Sequence, residues 1–379
     1  PIWAEAPGFA SDEELEEMVR TLADLPPIPT QGVPWQANWG WARHDLIRYN
    51  RVEGPAVGGR FEAEVGSFMG PVNVEATGFF GFGDLEPKAR VTLERRSVLR
   101  RWWVSGYREL RATERGGRYL GFGNSLGALM FGRDDGEYYT ATGADLVWRP
   151  PEADRESFRF RLYAERQDSV GLGTDFSLIH AFEDDWDFRP NVMAQRLEEL
   201  GGELTLAPWW GTDPLAAQAG LELYGQGGAW RHPDSTSITG DYARLSGVLR
   251  VAVPLAEATW RVGLEAGGGT SWGDVPSQRN WFLGGPGTLR GYGASVLSGS
   301  SFVRGRLEVA RTHSQALTMS FFGDLGWAGE REAFDSGDLL YGTGVGVSLL
   351  DGLVRMDLSR GLRGPEKRFR LDLYLDAIL

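Results

Sequence analysis

One pattern in this sequence could support nucleophilic catalysis. Residues 123–127 read G-N-S-L-G, which matches the G-x-S-x-G turn around the nucleophilic serine of many hydrolases. That chemistry requires a strand-to-helix elbow and a histidine placed beside Ser125, whereas this stretch falls in a long loop between predicted strands. We therefore expect no enzymatic activity. A hydrolase is the third interpretation, behind the two that follow from the fold.

The residues that could bind metal ions are scattered along the chain. The histidines lie in separate segments, and their spacing does not suit metal ligation: His44, His180, His232 and His313. The acidic cluster at 183–187 could hold divalent cations loosely, but a solvated loop explains it at least as well. No metal site and no cofactor is predicted.

The composition excludes several further classes of protein. The chain has 379 residues, with 52 acidic against 39 basic side chains and a net charge of −13, and it has no block rich in Lys and Arg. This balance argues against a nucleic acid as the partner. The absence of cysteine excludes disulfide frameworks and thiolate metal sites, and it suits an oxidising compartment. The uncharged stretches are shorter than the roughly 20 apolar residues of a membrane-spanning helix.

One helix is predicted, at residues 11–24, SDEELEEMVRTLAD. Ser11 and Glu14 form a capping box, and Pro26 and Pro27 end the helix. The apolar residues form a single stripe: Leu15, Met18, Val19 and Leu22. An isolated helix of this length is marginal in water, so we expect the stripe to cover a protein surface.

From about residue 41 onward the apolar residues recur with period two, which indicates β-strands. Near residue 160, for example, Phe160 and Leu162 alternate with Arg159 and Arg161. Fifteen segments show this pattern: 57–66, 71–82, 88–96, 100–110, 137–149, 157–168, 197–208, 214–225, 241–253, 258–270, 300–311, 316–327, 339–350, 353–360 and 367–379.

The connections between these segments alternate between short turns and long loops rich in Gly, Asp and Pro. A soluble β-sandwich also has alternating strands, but this asymmetry is typical of bacterial outer-membrane barrels. If the short turns are periplasmic, the segment 57–66 runs inward and an outward strand must precede it. The candidate is 42–52, which brings the count to sixteen, and single-chain barrels have even numbers. The sequence predicts an all-β, 16-stranded antiparallel transmembrane β-barrel over residues 41–379, with both termini periplasmic.

The two faces of each strand can be assigned from the free energy of transferring its side chains from water into lipid. A cation facing lipid at mid-depth costs roughly 2–4 kcal/mol, so the apolar rows should face lipid and the charged rows the lumen. On the segment 316–327, Phe322, Asp324 and Gly326 then face the lumen. Tryptophans near the predicted strand ends suit interfacial girdles: Trp102, Trp103, Trp148, Trp209, Trp210, Trp260, Trp281 and Trp327.

Two motifs stand out on this framework. The loop after the segment 258–270 contains WFLGGPGTLRGYGASVL, whose Gly and Pro content permits a tight fold without regular structure. Its LRGY sequence and the FGDLG sequence of the segment 316–327 resemble motifs of the bacterial surface-antigen superfamily, which includes the BamA and TamA insertases and the two-partner secretion transporters. The resemblance implies a loop-to-barrel-wall motif of Leu289, Arg290, Gly291, Tyr292, Phe322, Asp324 and Gly326.

In that family the sixth extracellular loop folds into the lumen and meets the inner wall of the thirteenth strand. When the strand at 42–52 is counted, the LRGY loop also joins strands eleven and twelve, and FGDLG lies on strand thirteen. We expect Arg290 to point into the lumen and contact Asp324, with Tyr292 and Phe322 packing nearby.

The two ends of the barrel carry further resemblance. Residues 48–54, RYNRVEG, resemble the barrel entry of the family, and FRLDLYLDAIL resembles its C-terminal targeting signal, although it ends in Leu379 instead of an aromatic residue. Residues 1–40 are predicted to be a periplasmic segment that carries the 11–24 helix. They are too few for a periplasmic POTRA repeat, so we expect none in this chain.

The resemblance implies a barrel that assists membrane insertion or translocation of polypeptides through a weak seam between its first and last strands. Outer-membrane lipids and unfolded or translocating polypeptides would be its partners, and residues 11–24 could bind a periplasmic partner. The alternative is a passive pore, or a membrane-anchor barrel module of a larger protein or complex. The identity of the substrate does not follow from the sequence.

Overall fold

The computed structural model describes the greater part of the chain after residue 34. The described residues are 35–40, 44–67, 70–96, 101–114, 119–150, 157–183, 185–211, 213, 215–256, 259–314, 317–334, 337–349, 354–364 and 367–375. The helix predicted at 11–24 lies outside them.

Alternating side chains produce strands throughout this part of the chain. The first ten are β1 Trp35–Trp39, β2 Ile47–Asn50, β3 Gly54–Ser67, β4 Gly70–Gly81, β5 Pro87–Arg96, β6 Arg101–Ala112, β7 Tyr138–Arg149, β8 Phe158–Ser169, β9 Leu197–Leu206 and β10 Trp209–Trp210. The remainder are β11 Gln218–Arg231, β12 Gly240–Leu255, β13 Trp260–Gly273, β14 Trp281–Leu283, β15 Leu297–Gly299, β16 Ser301–Ser314, β17 Leu317–Gly329, β18 Leu340–Leu349, β19 Val354–Gly361 and β20 Phe369–Leu375. Each of the fifteen predicted segments overlaps one of these strands, so the all-β antiparallel prediction is confirmed.

Among the described residues, helical structure is confined to the connections. One α-helix, α1 Phe122–Phe131, lies between β6 and β7. The 3-10 turns are His44–Leu46, Leu178–His180, Ser277–Arg279 and Arg331–Ala333. Among the described residues no helix has the length and apolar character needed to cross a membrane.

The wall is a meander in which each strand pairs antiparallel with its neighbour in the chain. Pairing is continuous from β3 to β9, passes to β11, and continues through β12, β13 and β16 to β20. Strands β1 and β2 both pair with β3 at successive stretches, and β9 and β10 share β11 in the same way. Strands β14 and β15 form a separate hairpin at the base of the loop that joins β13 to β16.

The two faces of the wall differ as the alternation predicts. On β17, Phe321 is 68% exposed, whereas its neighbour Phe322 is 4% exposed on the lumen side. Most long strands carry such an outward apolar row, and its exposed members include Val57, Phe61, Val91, Val104, Leu162, Leu200, Leu223, Leu249, Leu264, Leu307, Leu325, Val345, Leu358 and Leu371. An apolar outer surface of this extent would be unfavourable in water, but it suits contact with the acyl chains of lipids.

Four of the eight tryptophans predicted for the interfacial girdles fall into two groups. Trp102 lies 5.8 Å from Trp148 between ring centroids, and Trp148 lies 4.7 Å from Phe158, so these three rings form a row across neighbouring strands near the short turns. Trp281 instead packs against the loop cluster around Leu283. Trp327 lies buried at the opposite rim. The girdle prediction therefore does not hold for Trp281 and Trp327, because both rings face protein.

The first strand differs from its prediction. A single strand was predicted at 42–52, whereas the structure has β1 and β2 on either side of the His44–Leu46 turn. The sheet includes Trp35–Trp39, which precede the predicted barrel start at residue 41. Within the described residues β20 pairs with β19, and pairing with β1 or β2 is not among the observed ladders. Closure of the barrel and the count of sixteen strands therefore stay predictions.

Candidate functional site

The site is built by the loop of residues 274–300, which joins β13 to β16. Its base is held by the hairpin of β14 and β15, and its tip is a compact turn. The hydroxyl of Thr288 donates to the Gly284 carbonyl at 2.8 Å and accepts from the Gly284 N–H at 2.8 Å. Leu289 N–H donates to the Gly285 carbonyl at 3.0 Å. Because the tip satisfies its own backbone groups, it can leave water and enter the lumen.

Arg290 projects from this tip onto the inner wall at Asp324 of β17. Its Nε and Nη2 atoms donate to the two oxygens of that carboxylate at 2.8 and 2.7 Å, and its backbone N–H donates to Oδ2 at 2.9 Å. The two residues are 2% and 4% exposed. A bidentate guanidinium–carboxylate pair has the strongest hydrogen-bond geometry available to these groups.

A second set of charges extends this contact across the wall. Arg290 Nη1 donates to Glu308 of β16 at 2.7 Å, and Arg355 of β19 donates to both oxygens of Glu308 at 2.7 and 2.9 Å. Arg355 also donates to Asp357 at 2.8 Å. Burial lowers the pKa of Arg290, but Asp324 and Glu308 outweigh this effect and raise it above its ordinary value. The charged groups of the cluster are therefore paired with one another.

Sequence reasoning did not assign Glu308, Arg355 and Asp357 to the site. All three lie on lumen-facing rows, which parity along β16 and β19 indicates. Glu308 and Asp357 lie beside Arg290, and Arg355 pairs with Glu308. This arrangement depends on the register of the four neighbouring strands β16 to β19. The sequence pattern does not contain that register.

The other residues of the two motifs make room for the loop or hold it. The Phe322 ring lies under the Arg290 guanidinium, whose carbon is 3.6 Å from the ring centroid. Leu289 is fully buried, and a Cβ atom at Gly326 would lie 3.5 Å from its methyl carbons, which is an ordinary contact. The same Cβ atom would lie 3.2 Å from Leu283 Cδ1, so glycine at 326 chiefly leaves room for Leu283 at the base of the loop.

Gly291 and Tyr292 face the neighbouring strands β18 and β19. Gly291 has φ +90°, and a Cβ atom there would lie 2.6 Å from the Arg360 carbonyl carbon. The Tyr292 hydroxyl lies 2.7 Å from the Tyr341 carbonyl oxygen and 2.6 Å from that of Arg363. Tyr292 is fully buried and packs with Leu289 and Leu340. The loop therefore contacts the wall along its whole tip.

A second arginine anchors the same loop on another part of the wall. Arg279 donates to Glu165 of β8 at 3.2 Å and to Glu199 of β9 at 2.9 Å, and its Nη1 atom donates to the Tyr139 hydroxyl at 3.2 Å. The adjacent Gln278 donates to Gln167 at 2.7 Å. The loop therefore crosses the lumen between β7–β9 and β16–β19. The sequence pattern did not reveal this anchor, although the arginine lies just before WFL in the same long loop.

The loop leaves a cavity of about 1,370 Å³ in the lumen, with charged side chains among those that line it. Side chains of several strands line it, together with the loop tip and the helix α1. Both signs of charge are present on its walls, with Arg90, Arg250 and Arg304 beside Glu109 and Glu265. Such a space could admit water and small polar solutes.

Ser125, the serine of the G-x-S-x-G pattern, is buried and hydrogen-bonded to its own helix and to a neighbouring strand. Ser125 lies within α1, is buried, and donates from its hydroxyl to the Gly121 carbonyl at 2.8 Å. The same oxygen accepts the Tyr49 N–H at 3.0 Å. A hydroxyl engaged in this way packs the helix against β2.

The fold of the chain is similar to that of a solved outer-membrane barrel. The crystal structure of BamA from Haemophilus ducreyi lacking POTRA domains 1-3 matches with a TM-score of 0.56 at 11% identity, covering 90% of this chain and 71% of that chain. The chain is similar in fold to BamA. The predicted resemblance to the bacterial surface-antigen superfamily is thus confirmed for the fold, and this fold with its apolar outer surface places the chain in the bacterial outer membrane.

Other solved structures match less well. CdiB from Acinetobacter baumannii has a TM-score of 0.47 at 11% identity, covering 89% of this chain and 58% of that chain. OccK2 from Pseudomonas aeruginosa in complex with glucuronate has a TM-score of 0.41 at 13% identity, covering 89% of this chain and 94% of that chain. Scores below 0.5 do not establish a common fold, so the assignment rests on BamA. No protein-family model and no curated protein sequence matches this chain.

Proposed function

We propose that this protein assists the membrane insertion or translocation of polypeptides through a seam between its first and last strands. The wall is then a closed barrel of sixteen strands, in which β1 with β2, and β9 with β10, each count as one interrupted strand. The long loops face outside the cell and the short turns face the periplasm. Residues 11–24 would dock against a periplasmic partner or the periplasmic mouth.

The strand pairing at the two ends of the sheet carries this proposal. The first strand is divided into two short pieces, and the described part of β20 pairs with β19. In lipid, each backbone group without a partner costs several kcal/mol, so edges of this kind need a partner. A strand of an incoming polypeptide supplies the missing donors and acceptors by β-augmentation. The proposal includes no catalytic chemistry, in keeping with the structural environment of Ser125.

A photo-crosslinking experiment tests the proposed seam. A photoreactive amino acid at Leu371 of β20 should crosslink to an unfolded barrel polypeptide that is added to phospholipid vesicles containing the protein. The same group at Leu245 of β12 is the matched control, since the two side chains are 53% and 55% exposed on the outer face. We expect at least tenfold more crosslinked product from position 371. Equal yields at the two positions would contradict insertion through the seam.

A passive pore is the second candidate function, and the lumen cavity with charged side chains of both signs on its walls favours it. Planar-bilayer conductance separates the two candidates. Residues 284–296 can be replaced by an Asn-Gly turn, because Leu283 and Leu297 are paired residues of the β14–β15 hairpin. For a plugged translocase we expect low conductance in the unchanged protein and a several-fold increase in the variant. A pore would already conduct with its loop intact.

A further inference from the structure

The helix α1 and the residues that follow it lie inside the lumen at the junction of the first and last strands. Helix α1 contacts both β2 and β20, and Phe122, Asn124 and Phe131 line the lumen cavity. The chain reaches this position from the loop between β6 and β7, far from either strand in sequence. We call residues 121–135 the seam segment.

The seam segment is firmly attached to the first strand. Ser125 Oγ accepts the Tyr49 N–H of β2 at 3.0 Å, and Asp134 Oδ2 accepts the Arg51 N–H at 2.9 Å. Asp134 also accepts hydrogen bonds from Asn124 and the Tyr138 hydroxyl at 3.0 and 2.7 Å. Arg51 is fully buried and Asp134 is 2% exposed. Backbone donors at the end of the first strand are thus satisfied by side chains of the segment.

The attachment to the last strand uses the two residues on either side of Asp134. Arg133 donates to the Leu371 carbonyl of β20 and lies 3.5 Å from the Asp372 carboxylate. Arg370 of β20 donates to Asp135 at 3.0 Å. Arg133 and Asp135 therefore contact β20, whereas Asp134 between them contacts the end of the first strand. The seam segment joins these two strands from the lumen side.

The two attachments differ in strength. The Arg133 side chain is 37% exposed, Arg370 and Asp135 are 17% and 19% exposed, and Asp372 Oδ2 is buried without a hydrogen-bond partner among the described residues. Both oxygens of Asp134, in contrast, are buried and accept hydrogen bonds. A partly solvated ion pair is much weaker than a fully satisfied buried one. The segment should therefore release β20 first and remain with β2.

We propose that the seam segment is a latch that holds β20 to the first strand and controls access of an extended polypeptide strand to the seam. This inference rests on the proposed function, because it concerns the regulation of the same seam. In the closed state, Arg133 and Asp135 engage the edge of β20. When they release it, the backbone groups of β20 become available to an incoming strand, which replaces the latch as hydrogen-bond partner.

Amide hydrogen exchange in the purified, detergent-solubilised protein tests the latch directly. In the double variant Arg133→Ala, Asp135→Ala we expect the amides of β20 to exchange at least tenfold faster, while those of β11 and β12 keep their rates. The charge-conserving variant Arg133→Lys, Asp135→Glu should exchange much more slowly than the alanine variant. Unchanged exchange in β20, or a uniform increase along the whole sheet, would overturn the proposal.

Further variants keep the latch test decisive and separate from the test of function. Arg231→Ala removes an exposed ion pair with Glu198 at 2.7 Å and serves as the control. If the double alanine variant does not fold, Asp135→Asn is measured by the same exchange experiment with the same criterion. Insertion of an unfolded barrel protein into phospholipid vesicles is measured in parallel. Faster exchange without faster insertion would support the latch and contradict the proposed function.

Discussion

Replacing Arg290 by alanine is expected to release the loop tip from the wall and to destabilise the protein by about 3–5 kcal/mol. The reason is that Asp324, which is 4% exposed, would keep a buried charge without its main cation, and Glu308 would lose one of its two arginines. Chymotrypsin cleavage at Tyr292, which is fully buried, should become at least tenfold faster. Chemical unfolding in detergent gives the free energy of unfolding.

A double-mutant cycle of Arg290→Ala and Asp324→Ala isolates the pair itself. We expect a coupling free energy of about 2–3 kcal/mol, less than the whole effect of Arg290→Ala because Glu308 also contacts that guanidinium. The exposed pair of Arg231 and Glu198 is the control, and its coupling should be below about 1 kcal/mol. Additive effects of the two mutations would show that the contact does not hold the loop.

Substitution of Gly291 by alanine is expected to displace the loop as completely as the loss of Arg290. At φ +90° a side chain costs about 1–3 kcal/mol in backbone strain. In addition, its Cβ atom would lie 2.6 Å from the Arg360 carbonyl carbon and 2.8 Å from the Gly361 nitrogen, both of which are backbone atoms of a wall strand. The loop can avoid this clash only by moving away from β19.

Gly287 provides the matched control, because it belongs to the same loop tip and lies three positions before Arg290. A Cβ atom at Gly287 would lie 3.6 Å from the Tyr119 hydroxyl, which is an ordinary contact. The Gly287 carbonyl oxygen accepts a hydrogen bond from Arg306 at 3.2 Å, and a methyl group on the Cα atom does not remove it. The two glycines therefore differ in what surrounds them, and a difference between their alanine variants reports on the close approach of Gly291 to β19.

Chymotrypsin cleavage and planar-bilayer conductance compare the two variants. We expect Gly287→Ala to retain the slow cleavage and the conductance of the unchanged protein, whereas Gly291→Ala should resemble Arg290→Ala in both measurements. If both alanine variants keep the slow cleavage and the conductance of the unchanged protein, the loop tip does not depend on the close approach of Gly291 to β19.

The sequence by itself determined the strands and the faces they present. Period-two alternation is a local property, and on β17 it places Phe321 outside and Phe322 inside whatever the neighbouring strands are. It also placed Asp324 on the inner wall, and the motif resemblance then indicated Arg290 as its partner. The assignment of the faces depends only on the alternation along the chain and on transfer energies, and both can be read from consecutive residues.

The remaining parts of the site were decided by the tertiary structure. Glu308 and Asp357 meet Arg290, and Arg355 pairs with Glu308, only because the registers of β16 to β19 bring them to one level of the wall. Arg279 meets Glu165 and Glu199 only because its loop crosses the lumen. Register and loop path arise from contacts between residues distant in the chain, and alternation along one strand carries no information about them.

The helix α1 shows the same limit at the level of secondary structure. Its ten residues, FGNSLGALMF, lie between two predicted strands and were therefore assigned to a loop. They include two glycines, and the helix has no side-chain hydrogen bond at its N-cap. An isolated helix of this length is unstable in water, because nucleation costs more than a few hydrogen bonds return. It forms here because Ser125 binds the Tyr49 N–H and the helix packs against β2. Its position at the seam is therefore a property of the folded barrel, since only the assembled wall supplies the surface that stabilises it.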